Sequence, residues 1–149
     1  MTQEYKEILL KDLCARLPYF LYVECYNKGK ECFIEGRMKQ IDFDTSLIEV
    51  IPPEMEKYKP AAVSTWAALE SVKPYLRPLS TMTKEEEDEW SKAIEIELKA
   101  LEGPSGHTVE NVASSAFEID FYNKYHFDYR GLIPMGLALE ATADMYKTE

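Results

Sequence analysis

"YFLYVECYNKGKECFIEGRMKQI", residues 19–41, is the stretch on which the fold turns. Its first part, "YFLYVECY" (19–26), is aromatic and β-branched, as strands prefer. "NKGK" (27–30) is a turn signal, with Gly29 available for positive φ, and "ECFIEGRMKQI" (31–41) supplies the returning strand. A hairpin closed symmetrically about Lys28-Gly29 pairs residues whose numbers sum to 57. Cys25 then faces Cys32 and Val23 faces Ile34, with Leu21 on the same side. Tyr22, Glu24, Glu31 and Glu35 fall on the other side, the segregation a strand pair with one buried face requires. The two cysteines read as facing small hydrophobes in a core. Their opposition also allows a redox pair as the alternative.

Outward from the hairpin the pattern stays β-rich up to residue 80. "DFDTS" (42–46) is a second turn, followed by the strand "LIEVI" (47–51). "PPEMEKYKP" (52–60) reads as a surface loop, "AAVSTWAAL" (61–69) as a strand and "ESV" as one turn of 3₁₀ helix. "KPYLRPLS" (73–80) is extended, because each proline biases the residue before it towards β or polyproline geometry. Short strands, tight turns and a 3₁₀ turn before the last strand predict a small SH3-like β-barrel over residues 1–80. "EILLKDLCARLP" (7–18) makes a short helix at its entrance, with Leu9, Leu10, Leu13 and Leu17 as the apolar stripe and Pro18 as the stop.

Residues 81–149 read as helical. "TKEE" (83–86) fits a capping box, and the acidic run 85–89 suits the positive end of the helix dipole. That run is read as a capped, solvated helix start in preference to a cation or partner site. Trp90, Ile94, Leu98 and Leu101 form one face, and "GPSG" (103–106) ends the helix. Thr108 caps a second helix whose face is Val109, Val112, Ala113, Ala116, Ile119 and Tyr122, although "FEIDFYNKY" (117–125) also alternates as a strand would. Gly131, Pro134 and Gly136 forbid a long helix through the end. The expected architecture is therefore α+β: the barrel, then a pair of α-helices (81–149) and a tail folded back onto it, the whole counting as two parts or one domain.

Charge narrows the function. The net charge of the chain is −10; residues 1–80 carry 11 Lys+Arg against 12 Asp+Glu, and residues 81–149 carry 6 against 15. Duplex binding neutralises phosphates with Lys and Arg, so a net of −9 makes the helical part a poor duplex binder. No apolar run approaches the roughly 20 residues of a membrane span, and Glu4, Glu7 and Asp12 interrupt the start, against a secretory signal. The expectation is a cytoplasmic protein with its three cysteines reduced. No Cys-x-x-Cys exists and the only histidines are His107 and His126, so neither a metal nor another cofactor is expected.

"VKPYLRPLSTMTKEE" (72–86) and "HFDYRGLIPMGLALEA" (126–141) resemble short uncharacterised proteins encoded by gut bacteria and their phages or integrated elements. In those proteins a β-rich front joins the same Pro-Tyr-Leu-Arg-Pro-Leu stretch. The resemblance covers about a third of the chain, implies a phage or mobile-element context, and brings no activity, cofactor or catalytic residue.

One polar cluster stands out: Tyr122, His126, Asp128 and Arg130. On a continued helix Tyr122, His126 and Arg130 would share a face, as an anion pocket with His126 as acid or base. The reading preferred on composition is structural. His126 would lie in the last helical turn, its charged form suiting the dipole. Asp128 would cap the turn "DYRG", Arg130 would pair with Asp128 or a helix-end carbonyl, and "LIPMGLAL" would pack on the core. No nucleophile elbow, phosphate loop or His-Glu-x-x-His accompanies the cluster. The leading expectation is a non-enzymatic adaptor or accessory protein that binds another protein through an aromatic-lined barrel surface, with the acidic helices as a docking face. The alternatives are a nucleic-acid accessory protein using Lys28, Lys30, Arg37 and Lys39 with stacking aromatics, and a small-anion enzyme around His126 and Arg130.

Overall fold

The structure, a computed structural model, describes residues 1–55, 64–100 and 109–147. Helix α1 (Gln3–Arg16) begins earlier than the leucine stripe suggests, because the Thr2 side chain accepts the Tyr5 N–H and caps it. Leu9 and Leu13 are fully buried, and the chain leaves α1 through a 3₁₀ turn at Leu17–Tyr19.

Strands β1 (Tyr22–Asn27), β2 (Cys32–Asp42), β3 (Leu47–Ile51), β4 (Thr65–Ala68), β5 (Val72–Leu76) and β6 (Leu139–Glu140) form one sheet in the order β4-β3-β2-β1-β5-β6. The SH3-like barrel is not what forms: the sheet is open. β5 already pairs with β1, so a sheet in this order closes only if its two outer strands, β4 and β5, pair with each other. Here the free edge of β5 is taken by the tail, which adds β6 in parallel, and by a bridge between Arg77 and Phe127. The expected strand at 61–69 is β4, with residues 61–63 outside the described residues; the 3₁₀ turn at Leu69–Ser71 falls where "ESV" begins.

The hairpin register differs from the symmetric reading by two residues. Cys25 faces Ile34, Val23 faces Gly36 and Asn27 faces Cys32. The loop is four residues long because the Asn27 carboxamide oxygen accepts both the Gly29 and Lys30 N–H groups, at 2.9 and 3.1 Å. Glu31 then turns back at φ +51°. An even slip preserves which face each side chain occupies, so Val23 and Cys25 still point inward. It does separate the cysteines: Cys25 is buried and Cys32 exposed, and all three thiols are free. Burial pushes the Cys25 thiol up to about 11, which leaves it unreactive. Gly36 is required by packing, since a Cβ there would lie 2.5 Å from the Ile51 carbonyl oxygen.

Helix α2 (Lys84–Ala100) starts with the expected capping box: the Glu86 N–H donates to Thr83 Oγ1 at 3.2 Å and the Thr83 N–H to Glu86 Oε2 at 2.9 Å. Helix α3 (Val109–Lys124) resolves the ambiguity at 117–125 in favour of helix. Phe117, Phe121 and Tyr125 stack along one side, ring centroids 6.3 and 4.7 Å apart, and Glu118 accepts the Tyr122 hydroxyl. The expected helix end at 103–106, the Thr108 cap and the positions Leu98, Leu101, Val109, Val112 and Ala113 lie outside the described residues or side chains. One core cluster joins Leu9 and Leu13 of α1, the inner faces of β1–β5, and Leu132, Leu137 and Ala138 of the tail.

Candidate functional site

Helix α3 does not continue through His126. The His126 N–H bonds to the Asn123 carbonyl at 3.2 Å and the Phe127 N–H to the Tyr122 carbonyl at 2.9 Å. That is a Schellman ending, with His126 in the left-handed position that glycine usually takes, at φ +60°. A non-glycine residue there costs about 1–2 kcal/mol. The stacking of Phe127 on Phe121, 6.4 Å between centroids, supplies the apolar contact such endings carry. Tyr122, His126 and Arg130 therefore do not share a helical face.

They gather instead around a residue pair from the other end of the chain. Asp12 and Arg16, four apart on α1, are fully buried and joined by two bonds of 2.8 and 3.0 Å. Arg16 also donates to the Phe127 carbonyl at 2.8 Å and the Tyr122 carbonyl at 3.4 Å, so it caps the end of α3. Arg130 reaches Asp12 at 3.3 Å, not Asp128 as the sequence suggested. Both guanidinium groups lie over the Tyr129 ring, at 5.4 and 4.9 Å. The Asp128 carboxylate does cap the following turn, accepting the Leu132 and Ile133 N–H groups at 2.7 and 2.9 Å. Tyr122 donates to Glu118 and packs against Tyr129, with centroids 5.7 Å apart. Arg77 forms a two-bond pair with Glu86 and lies 4.4 Å over the Phe127 ring. Among the buried side-chain polar atoms described in this cluster, only His126 Nδ1 lacks a hydrogen-bond partner.

His126 is buried, stacked 4.0 Å from the Tyr146 ring, and its Nδ1 atom has no partner. Burial, then the positive charges of Arg16 and Arg77, push its pKa down from 6.5 to about 3, against a backbone hydrogen bond with Tyr19 that favours the charged form. The imidazole is neutral, so the expected dipole role of a charged His126 is overturned: desolvation outweighs the helix end. In the unfolded chain the same group protonates near 6.5. Stability from His126 is therefore full above that value and is lost as pH falls towards 3, at up to about 1.4 kcal/mol per pH unit. Denaturant unfolding at about pH 7 and about pH 5 should show a loss of about 2 kcal/mol from this residue, above the range where most carboxylates titrate. His126→Phe keeps the stacked ring without the proton site, so that increment should vanish in the variant while His107 remains in both forms.

The outer sheet face is the second candidate. Register places Tyr22, Tyr26, Phe33, Trp66 and Tyr75 on it, with Tyr75 buried and Tyr22 packed against the Tyr146 ring. Tyr26 and Phe33 meet edge to face at 5.3 Å. Phe33 is 65% exposed and Trp66 43%. At the end of β1, Phe20 is 62% exposed, sits at φ +57°, and is covered by Arg37 at 4.7 Å. Charges between the rings balance: Arg37, Lys39 and Lys73 against Glu24, Glu35 and Glu49, with Lys39 paired to Glu49 and Tyr75 bonded to Glu35.

Among the described residues no group of three or more His, Cys, Asp or Glu is placed to hold a metal ion, and no helix is long and apolar enough to cross a membrane. No protein family, curated protein or solved structure matches the chain. Sequence reasoning found Tyr122, His126, Asp128 and Arg130 but missed Asp12 and Arg16. The available signal was their i, i+4 spacing, on the same side as the buried Leu9 and Leu13.

Proposed function

We propose that the protein is a non-enzymatic binding protein that recognises another protein through the outer face of its sheet. The observation that carries this reading is the set of exposed aromatic residues, Phe20, Phe33 and Trp66, on or beside one sheet face whose opposite side is packed into the core. Aromatic residues and arginine are what buried interface centres use. Phe20 strengthens the case, because its left-handed backbone and exposed ring both cost free energy that burial against a partner would offset in part. The charge balance decides between partner classes: three cations against three anions give no net field for a phosphate backbone, but suit a protein surface of mixed charge. An accessory role also fits the phage-linked proteins that the two C-terminal stretches resemble.

The enzyme reading gains nothing from the geometry around His126 and Arg130. A buried neutral imidazole, and a guanidinium held against Asp12, favour positioning of the chain over chemistry.

The test takes a partner isolated with the protein from cells, purifies both, and titrates them by calorimetry. Phe33→Ala/Trp66→Ala should melt near the parent temperature and bind at least tenfold more weakly, since central aromatic contacts cost ~2 kcal/mol or more. Equal binding by the variant would remove the outer face from the reading. A salt-sensitive submicromolar complex with an oligonucleotide, abolished by the same variant, would replace the protein partner with nucleic acid.

A further inference from the structure

The last part of the tail is held more lightly than the part before it. Leu132, Leu137 and Ala138 are buried in the core, whereas none of residues 139–147 is buried to that degree. Strand β6 pairs with β5 over two residues only, and the Ala141 N–H donates to the Leu76 carbonyl at 2.8 Å. The rest of the hold is Tyr146. Its hydroxyl accepts the Tyr22 N–H and donates to the Tyr75 carbonyl. The β1–β5 register puts Tyr22 opposite Tyr75, so this hydroxyl stands where the next rung of the ladder would lie. The Tyr146 ring lies on the His126 imidazole, 4.0 Å between centroids, and 5.8 Å from the Tyr22 ring. A segment with one anchoring side chain and a short edge pairing is the kind that opens locally before a domain unfolds.

We propose that residues 139–147 are an acid-released strap: a proton on His126 drives the Tyr146 ring off the imidazole, and the segment leaves β5 while the remainder of the fold holds. The charges that act on the imidazole are Arg16 of α1 and Arg77 at the end of β5, both cationic. Their counter-ions, Asp12 and Glu86 of α2, are bonded to the arginines. Beyond the end of α3, Asp128 is bonded to the Leu132 and Ile133 N–H groups and Arg130 to Asp12. The turn after α1 offers a hydrogen bond from the Tyr19 backbone, and burial keeps the Tyr146 hydroxyl uncharged. On the strap itself Asp144 pairs with Lys147, so that pair moves as a unit. A third cation beside Arg16 and Arg77 regains water only when the Tyr146 ring lifts. The face of that ring attracts a cation and opposes release, but burial beside two arginines outweighs it. The closed strap therefore holds the His126 proton less well than the open one. Closure is complete above about 6.5, and release grows as pH falls towards 3. Release bares the β5 edge at Tyr75 and Leu76 and frees the Tyr22 ring of the outer face. It needs no partner, so it stands or falls apart from the proposed function.

Amide hydrogen exchange of the full chain, read residue by residue at about pH 7 and about pH 4.5 and corrected for the chemistry's own pH dependence, tests the strap. Two amides report on it: Ala141, bonded to the Leu76 carbonyl, and Tyr22, bonded to the Tyr146 hydroxyl. The Met38 N–H, bonded to the Leu21 carbonyl inside the sheet, is the reference. Opening at Ala141 and Tyr22 should rise by up to about 70-fold between the two conditions, the ratio set by a proton affinity near 6.5 when open and near 3 when closed. Met38 should hold its protection. Equal acceleration of Met38 means that acid opens the whole domain, and no acceleration at Ala141 means that the strap stays shut; either result overturns the proposal. His126→Phe keeps a ring for Tyr146 without the proton site, so the acceleration should vanish in it. If the variant still opens in acid, carboxylates drive release and His126 does not. The parent chain alone supplies a second check that no substitution can spoil. The His126 ring signals should titrate with the same midpoint as the opening at Ala141, and separate midpoints would break the link between the imidazole and the strap.

Discussion

Removing residues 131–149 is expected to abolish cooperative unfolding. The tail is part of the core: Leu132 is fully buried and Leu137 and Ala138 are 5% exposed. Burial of the two leucines contributes roughly 1.5–3 kcal/mol each. The truncation also strips β6 from β5, and with it the bond from the Ala141 N–H to the Leu76 carbonyl. Tyr146 adds a further connection. Its hydroxyl accepts the Tyr22 N–H at 3.1 Å and donates to the Tyr75 carbonyl at 2.7 Å, so one oxygen ties β1 to β5. Leaving such buried groups unpaired costs about 1–3 kcal/mol each. The sum reaches the roughly 5–15 kcal/mol of a domain's net stability. Calorimetry or circular dichroism of the truncated chain should therefore show no cooperative transition. Tyr146→Phe, which keeps the ring on His126 and loses only the oxygen, should still fold, about 2–4 kcal/mol less stable. A truncated chain melting cooperatively at the parent temperature would make the tail a free peptide, better suited to contacting a partner.

How much of this was readable in advance depends on range. Local rules found the helix stripe of α1, the capping box at Thr83, the 3₁₀ turn after β4 and the inward set Val23 and Cys25. They also found the Asp128 cap, since Asx side chains bond to the backbone a few residues on. The hairpin register failed by two because one side chain, Asn27, lengthened the loop, while alternation fixes only which face a residue takes. The barrel failed for a non-local reason. Whether a sheet closes depends on what occupies its last edge, and that occupant is residues 139–140, more than sixty positions from β5. His126 was misjudged in the same way. Sequence places it at a helix end, where charge is welcome. Only the packing of Tyr146, Arg16 and Arg77 around it shows that charge is excluded. The outward rings of the sheet face follow from strand parity, but which of them stay exposed depends on the fold: Phe33 and Trp66 do, while Tyr22 meets the Tyr146 ring and Tyr75 is buried.

The same non-local logic makes Asp12 the costliest single position in the polar cluster. Its carboxylate is fully buried and shared by Arg16 and, at 3.3 Å, Arg130. Asp12→Ala leaves the Arg16 guanidinium without its counter-charge in a site that solvent does not reach. Breaking a buried pair from one side costs about 3–5 kcal/mol. The effect should propagate, because Arg16 holds the Phe127 and Tyr122 carbonyls more than a hundred residues away in sequence. Arg130→Ala is the informative contrast. That side chain is 34% exposed, so its attraction to Asp12 is screened, and its loss should cost only about 1 kcal/mol including the contact with Tyr129. Urea unfolding of the two variants beside the parent reads both numbers. If Arg130→Ala proves as damaging as Asp12→Ala, Arg130 is the partner that holds the carboxylate in place. If Asp12→Ala is nearly silent, α1 is not fastened to the end of α3 by this pair, and apolar packing of Leu9 and Leu13 alone seats it on the sheet.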